Sequence, residues 1–220
     1  RKFKMPQVWK TSLALDWQLP LPFKADMTFE GIYIKDINAI LQKNMNVIGR
    51  DDPKMSVFSG NDNRALYPGK TEKYIYQEIT DAMLMTNTGK GYSYTLNAVL
   101  NMMPVKDLNL MASYTYTRSR SLSNNSSNQI DGAWRQEPSV QGANYLTLHN
   151  SKYVQSPHRM IAEVSYAVRY ARNYATMISL FYSGQRYDSY SYLYGNDMNR
   201  DGYVYDLLYI PVFSLHFSLP

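Results

Sequence analysis

Apolar and polar residues alternate along most of this chain, in long stretches that come in pairs. From Val8 to Leu19, Trp9, Leu13, Leu15, Trp17 and Leu19 share one parity, while Lys10, Ser12, Asp16 and Gln18 share the other. After Pro20-Leu21-Pro22, Phe23, Ala25, Met27, Phe29, Gly31 and Tyr33 oppose Lys24, Asp26, Thr28, Glu30 and Asp36. The clearest pair is Gly91 to Arg118. There Tyr92, Tyr94, Leu96, Ala98, Leu100 and Met102 oppose Ser93, Thr95, Asn97 and Asn101, and the turn Met103 to Asp107 follows. Leu108, Leu110, Ala112, Tyr114 and Tyr116 then oppose Asn109, Ser113, Thr115 and Thr117. In a third pair, Met160, Ala162, Val164, Tyr166 and Val168 face away from Arg159, Glu163, Ser165 and Arg169. Ile178, Leu180 and Tyr182 likewise face away from Ser179 and Ser183. Side chains of a strand point alternately to its two faces, so each stretch predicts a strand with one apolar and one wet face. The stretches exceed the roughly five or six residues of a soluble strand and match the roughly nine to eleven of a tilted membrane-crossing one.

The connections sort by length. In chain order they are short (20–22), long (37–90), short (104–107), long (119–156), short (170–173) and long (185–206). An antiparallel meander with such links has its turns at one end and its loops at the other, as outer-membrane barrels do with periplasmic turns and extracellular loops. A soluble sandwich has no reason to sort loops by parity. The expected fold is therefore all-β, an antiparallel transmembrane barrel arc of six strands, or seven with a last one over Leu207 to Leu219. So few strands fall short of the eight in the smallest barrels, and an open edge in lipid leaves backbone groups unpaired. The segment reads as one arc of a larger wall.

Within Asn38 to Lys90, Gly49 to Pro53, Ser59 to Asn63 and Tyr67 to Lys70 read as turns, with short extended pieces at Met45 to Ile48, Lys54 to Phe58 and Lys73 to Ile79. The low-complexity run Ser121 to Asn128 is expected to bury little.

Composition adds one outlier: 21 tyrosines, whose apolar body and polar tip suit a bilayer boundary or a carbohydrate-contacting loop. The net charge of +5 is scattered, with no Lys/Arg run of the kind a nucleic-acid arm shows, so nucleic acid is not an expected partner. With no cysteine, disulfides, Cys-ligated zinc and thiol nucleophiles are excluded within these residues. No window is long and apolar enough for a transmembrane helix. A barrel must be exported, yet no signal peptide opens the chain and RKFKMPQVWK begins mid-element, so a fragment is expected.

Several pieces carry a resemblance: FKMPQVWKTSLALDWQLP, NTGKGYSYTLNAVL, ASYTYTRSRSL, SPHRMIAEVSYAVRY, ATMISLFYSGQRYDSYSY and GNDMNRDGYVYDLLYIP. In this order, over nearly the whole chain, they resemble the C-terminal barrel of Bacteroidetes TonB-dependent receptors. The group is the one with a carboxypeptidase-regulatory-like N-terminal domain, the Oar-like and more distantly SusC-like receptors. The resemblance implies an outer-membrane location and a barrel of twenty-two strands around a plug. It implies import driven by TonB through an N-terminal region absent here, and a possible surface lipoprotein partner beside the outer-membrane lipid. Residues 1–220 would then be part of one barrel domain. The pattern departs after Tyr209-Ile210-Pro211, where VFSLHFSLP follows at once, so a truncation or omission after residue 211 is expected.

For chemistry, Asp197, Asn199 and Asp201 in D-x-N-x-D-G match the first half of an EF-hand-like loop, in which alternate side-chain oxygens converge on Ca2+ and the glycine allows the turn. Leu208 stands where the bidentate Glu is expected, with Asp206 nearby. An Asx-rich turn is the competing reading. Arg186, Tyr190, Tyr192 and Tyr194, with Gln185, Tyr187 and Asp188, form a candidate sugar- or peptide-contacting set. Parity puts Tyr190, Tyr192 and Tyr194 on one side, and a rigid aromatic hairpin is the alternative. His149, His158 and His216 lack ligand spacing, and no carboxylate pair, nucleophile elbow or phosphate loop is present, so no enzyme is expected. The expected function is the barrel wall of a receptor importing an oligosaccharide, peptide or metal chelate. The alternative is a non-transporting structural or interaction subunit of an envelope assembly. Lys10, Asp16, Lys24, Asp26, Glu30, Glu163 and Arg169 are the expected lumen-facing charges.

Overall fold

The computed structural model describes residues 3–154, 156–171, 174–186 and 190–210. Six long strands form at the alternating stretches: β1 (Val8–Gln18), β2 (Lys24–Asp36), β7 (Tyr92–Met103), β8 (Leu108–Ser121), β10 (His158–Ala171) and β11 (Tyr174–Gln185). They lie side by side in that order in an antiparallel sheet, joined by the two-residue β9 (His149–Asn150), which pairs with the end of β8. The fold is all-β apart from one short helix, α1 (Ile130–Arg135). That helix is too short and polar to cross a membrane, which says nothing of strands. The sheet is open, with β1 and β11 at its edges.

Register carries the parity across the sheet. Phe29 pairs with Leu15 and Ala98, Leu96 with Gly31 and Tyr116, Leu100 with Ala112, and Val164 with Leu110 and Leu180. Directly opposed residues share a face. One face is therefore apolar from edge to edge, and Leu13 (78%) and Leu180 (73%) on it are mostly exposed. Aromatic rings stand at both ends of this face. Trp9 and Tyr33, then Tyr94, Tyr116 and His158, are stacked or edge-packed at the loop end. Trp17, Tyr166, Tyr170 and Tyr174 are exposed at the turn end. The other face carries the expected charges, with Thr28 Oγ1 donating to Asp16 at 2.6 Å and Thr115 Oγ1 to Asn97 at 3.0 Å. At the turn end Arg169 donates to both carboxylate oxygens of Asp107 at 2.8–3.0 Å, which ties the β7–β8 turn to β10. This pair holds the Asp107 carboxyl below its ordinary range.

The core does not lie on this sheet. In the six long strands, Ala25 and Ser165 are the buried side chains, and the other buried side chains belong to the three long excursions. These excursions meet at one end of the sheet and form a cap around Val47, Ile48, Tyr67, Trp134 and Ala143, against which Met55, Tyr74, Met83 and Tyr203 pack. The extended pieces in the first excursion match expectation at Lys54 to Phe58, which contains β4 (Ser56–Val57), and differ elsewhere. β3 (Ala39–Asn44) pairs with β6 (Met83–Thr88), and β4 with β5 (Ala65–Leu66). The expected pieces Met45 to Ile48 and Lys73 to Ile79 do meet, at the bridge Val47–Tyr74 flanked by Ile48 N to Lys73 O at 2.9 Å and Ile75 N to Asn46 O at 2.8 Å, but form no ladder. The periodicity of β3 is hidden because two of its inward positions, Gln42 and Asn44, are polar and buried. The run Ser121 to Asn128 also packs more closely than expected: Leu122 is buried, and Ser123 and Asn124 are bound by Glu137. Of the strand expected over Leu207 to Leu219, residues 207–210 form no strand, Leu207 making a single bridge to Leu193; the rest of it, the junction after residue 211, His216 and the middle of the turn 170–173 lie outside the described residues.

Candidate functional site

The cap stands on three polar clusters, two of which bridge excursions distant in sequence while the third ties one excursion to itself. In the first, Asn44 donates to Thr80 O and Asp81 Oδ1 and accepts from the Asn46 and Ala82 amides at 2.8–3.3 Å. The Asn46 side chain pairs with the Tyr76 peptide and donates to Ile79 O. Asn144 acts as a surrogate strand from the second excursion. Its Oδ1 accepts from Asn44 N and Trp134 Nε1, both at 2.9 Å, and its Nδ2 donates to Asn44 O at 2.7 Å. Asp81 binds Arg135, and Tyr203 of the third excursion packs edge-on against Trp134 with centroids 4.9 Å apart.

In the second cluster Arg64 is fully buried. Its Nε donates to Asp62 and its Nη2 to Leu207 O, each at 2.8 Å, while Nη1 lies 3.6 Å from Asp206. The Tyr194 ring covers the guanidinium at 5.1 Å. In the third, the buried Glu137 accepts from Ser123 Oγ, Asn124 N and Asn124 Nδ2 at 3.0–3.2 Å, with His149 Nε2 at 3.3 Å. A buried carboxylate is stable only with such partners.

The D-x-N-x-D-G loop is part of this cap. Asp197 Oδ2 accepts from Gly202 N at 2.8 Å, Asn199 Oδ1 from Asp201 N at 2.8 Å, and Asp201 Oδ1 from Tyr203 N at 3.0 Å. Asp206 Oδ2 accepts from the Met198 and Asn199 amides at 2.7 and 3.3 Å. Most of its oxygens thus hold the loop's own peptides, but Asp197 Oδ1 is enclosed and without a hydrogen-bond partner. Burial, against the pull of these hydrogen bonds, pushes the Asp201 carboxyl up to about 6, with Asp197 and Asp206 adding repulsion. Asp206 is raised too, chiefly by burial. Among the described residues no group of three or more His, Asp or Glu side chains is placed to hold a metal ion.

The tyrosine set divides. Tyr190 and Tyr192 are exposed and meet edge-on with centroids 5.4 Å apart. Tyr194 turns inward over Arg64, and Tyr187 and Asp188 lie outside the described residues. Arg186 lines a different hollow of about 290 Å3, together with Tyr116, Arg118, Arg120, Asn150 and His158. None of the described residues lining that hollow is acidic. Arg118 and Arg120 were not among the expected site residues, although a signal for them exists. They continue the parity of Tyr114 and Tyr116, where an apolar or aromatic residue belongs. No protein-family model, no curated protein and no solved structure matches this chain.

Proposed function

We propose that this chain is part of the wall of a TonB-dependent outer-membrane receptor that imports a nutrient such as an oligosaccharide, peptide or metal chelate. One observation carries the reading: a sheet with an apolar face unbroken across six strands and with all its long excursions at one end. Soluble proteins rarely leave a contiguous apolar patch of more than a few hundred Å2, and a bilayer covers such a face at no cost. The aromatic rings flanking it lie at the depths of the two headgroup layers. The opposite face, with Lys10, Asp16, Lys24, Asp26, Glu30, Glu163 and Arg169, looks into the lumen. The unpaired edges of β1 and β11 join further strands, because lipid offers their backbone no partner. The cap stands outside the cell as the first surface cargo meets, with Tyr190 and Tyr192 as its exposed contacts.

Uptake in cells carrying or lacking the full-length gene tests the reading. The wild type accumulates its cargo, and both the deletion and collapse of the proton gradient abolish this. Unchanged uptake together with loss of an envelope assembly assigns the chain instead to a structural subunit. Recovery of the protein from the soluble fraction, outside the outer membrane, overturns both.

A further inference from the structure

The hollow at the loop end of the sheet has a second half. Below it lies another of about 300 Å3, lined by Tyr114, His158, Met160, Tyr182, Gly184 and Arg186 among others. The two hollows share His158 and Arg186. Register puts both on the apolar face. Tyr94 pairs with Arg118 and Tyr92 with Arg120, in line with Leu96–Tyr116, and Arg186 N donates to His158 O at 3.2 Å, extending the β10–β11 ladder by one row. The lower hollow is open because Gly184 contributes no side chain beside Met160, and only the tip of Tyr182 leans over it. The upper hollow gathers guanidinium groups, and Arg120 Nε is enclosed there without a hydrogen-bond partner. Tyr114 Oη and His158 Nδ1, 2.6 Å apart, fix the rings at the junction.

Charge directly above a groove walled by Met160, Gly184 and the Tyr114 and Tyr182 rings, with Arg159 and Gln185 also on its lining, has one chemical complement on the face that meets lipid. We infer that Arg118, Arg120 and Arg186 bind the phosphate of an outer-leaflet lipid whose acyl chain lies along Met160, Tyr182 and Gly184. Phosphate is the matching headgroup because guanidinium forks donate to it in pairs. The lipid, rather than free phosphate, is the source because the apolar groove continues from the same walls. The inference rests on the membrane reading above.

The test uses the full-length receptor purified from membranes in a non-ionic detergent. Native mass spectrometry follows its titration with a bis-phosphorylated acylated glucosamine disaccharide, the same lipid without phosphates, and inorganic phosphate. The phosphorylated lipid is expected to bind at least about tenfold tighter than the dephosphorylated one, with about fivefold lost per arginine changed to Gln. Arg118→Gln is the key single variant, since Arg118 is exposed near the end of β8. Gly184→Leu is expected to weaken the lipid while leaving any binding of inorganic phosphate unchanged. Equal binding of the two lipids, or an Arg118→Gln variant that binds as the wild type does, overturns the proposal. Competition by inorganic phosphate at equal concentration also overturns it, as it marks a free-anion site. A receptor that fails to fractionate with the outer membrane refutes the membrane reading. One that does so but lacks this preference refutes only the lipid site.

Discussion

At the scale of single residues, neighbours in one strand should respond oppositely to the same change. Leu96 is half-exposed on the apolar face of β7, and Asn97 on the other face accepts from Thr115. Leu96→Arg is expected to cost about 2–4 kcal/mol if it lies near the bilayer midplane, and Asn97→Arg far less. Refolding titrations of the full-length protein into lipid vesicles measure this, and equal costs reject the face assignment. Asp201 offers a second measurement. Its carboxyl titrates at about 6 in the fold against an ordinary 3.8, so the folded cap binds a proton that the unfolded chain has already released between these values. Its contribution is therefore most favourable in acid and is lost as pH rises from about 4 to 6, by on the order of 3 kcal/mol. Hydrogen exchange of the cap amides is expected to show this slope in the wild type and not in Asp201→Asn. The orphan Asp197 Oδ1 gives a third. Because the other loop oxygens hold the loop's own peptides, millimolar Ca2+ is expected to leave proteolysis of the cap unchanged, and a protection by Ca2+ that Asp197→Ala removes would assign the loop as a cation site. An unchanged rate in the wild type leaves the loop as an Asx-rich turn.

At the scale of elements, the cap and the sheet are held by different forces. The strands of the sheet are joined by ladders and bury almost nothing on either face, whereas the cap has a packed centre around Trp134 and a set of buried hydrogen bonds. Trp134→Ala removes the ring that meets Tyr203 and frees Asn144 from its indole bond. A loss of about 3–5 kcal/mol, the usual range for a buried large aromatic, is expected in the cap. Exchange protection of residues 39–88 and 122–151 should fall while that of β7 and β8 stays constant, and parallel loss in both would show one cooperative unit. Glu137 has a similar role at smaller scale, because without it the half-buried Asn124 amide loses its acceptor.

At the scale of the whole molecule, the open sheet sets the behaviour of the isolated chain. Among the described residues β1 and β11 have unpaired edges and the apolar face has no cover, so these 220 residues alone are expected to aggregate in water and to disperse only with detergent or lipid. Light scattering on a size-exclusion column checks this, and a monodisperse folded monomer in plain buffer would exclude the membrane reading. The cap sits over the loop end with three excursions interlocked, so it should move as one piece rather than as separate loops. A cross-link between the first and second excursions, for example between positions near Asn44 and Asn144, should leave its structure unchanged.

The long strands, their faces and the ordering of turns and loops were legible in the sequence, because a period of two is a local property that needs no partner. Val8 to Gln18 and Tyr92 to Met103 declare both faces by themselves, and their length follows from the run of alternation. What lies in the cap was hidden for the converse reason. Gln42, Asn44 and Arg64 are polar residues that are buried because a distant excursion supplies their partners, and Glu137 is buried against partners elsewhere in its own excursion, so composition marked them as loop. The candidate contacts show the same divide. Tyr190 and Tyr192 meet edge-on and are exposed, whereas Tyr194, which parity would place on their side, is drawn inward over a guanidinium 130 positions earlier (Arg64 to Tyr194). Arg118, Arg120 and Arg186 become one basic hollow only when β8 and β11 are brought to either side of β10. The sequence by itself determined the strands and their faces, through side-chain geometry. Tertiary structure alone decided which charges are buried, which stay open, and which meet.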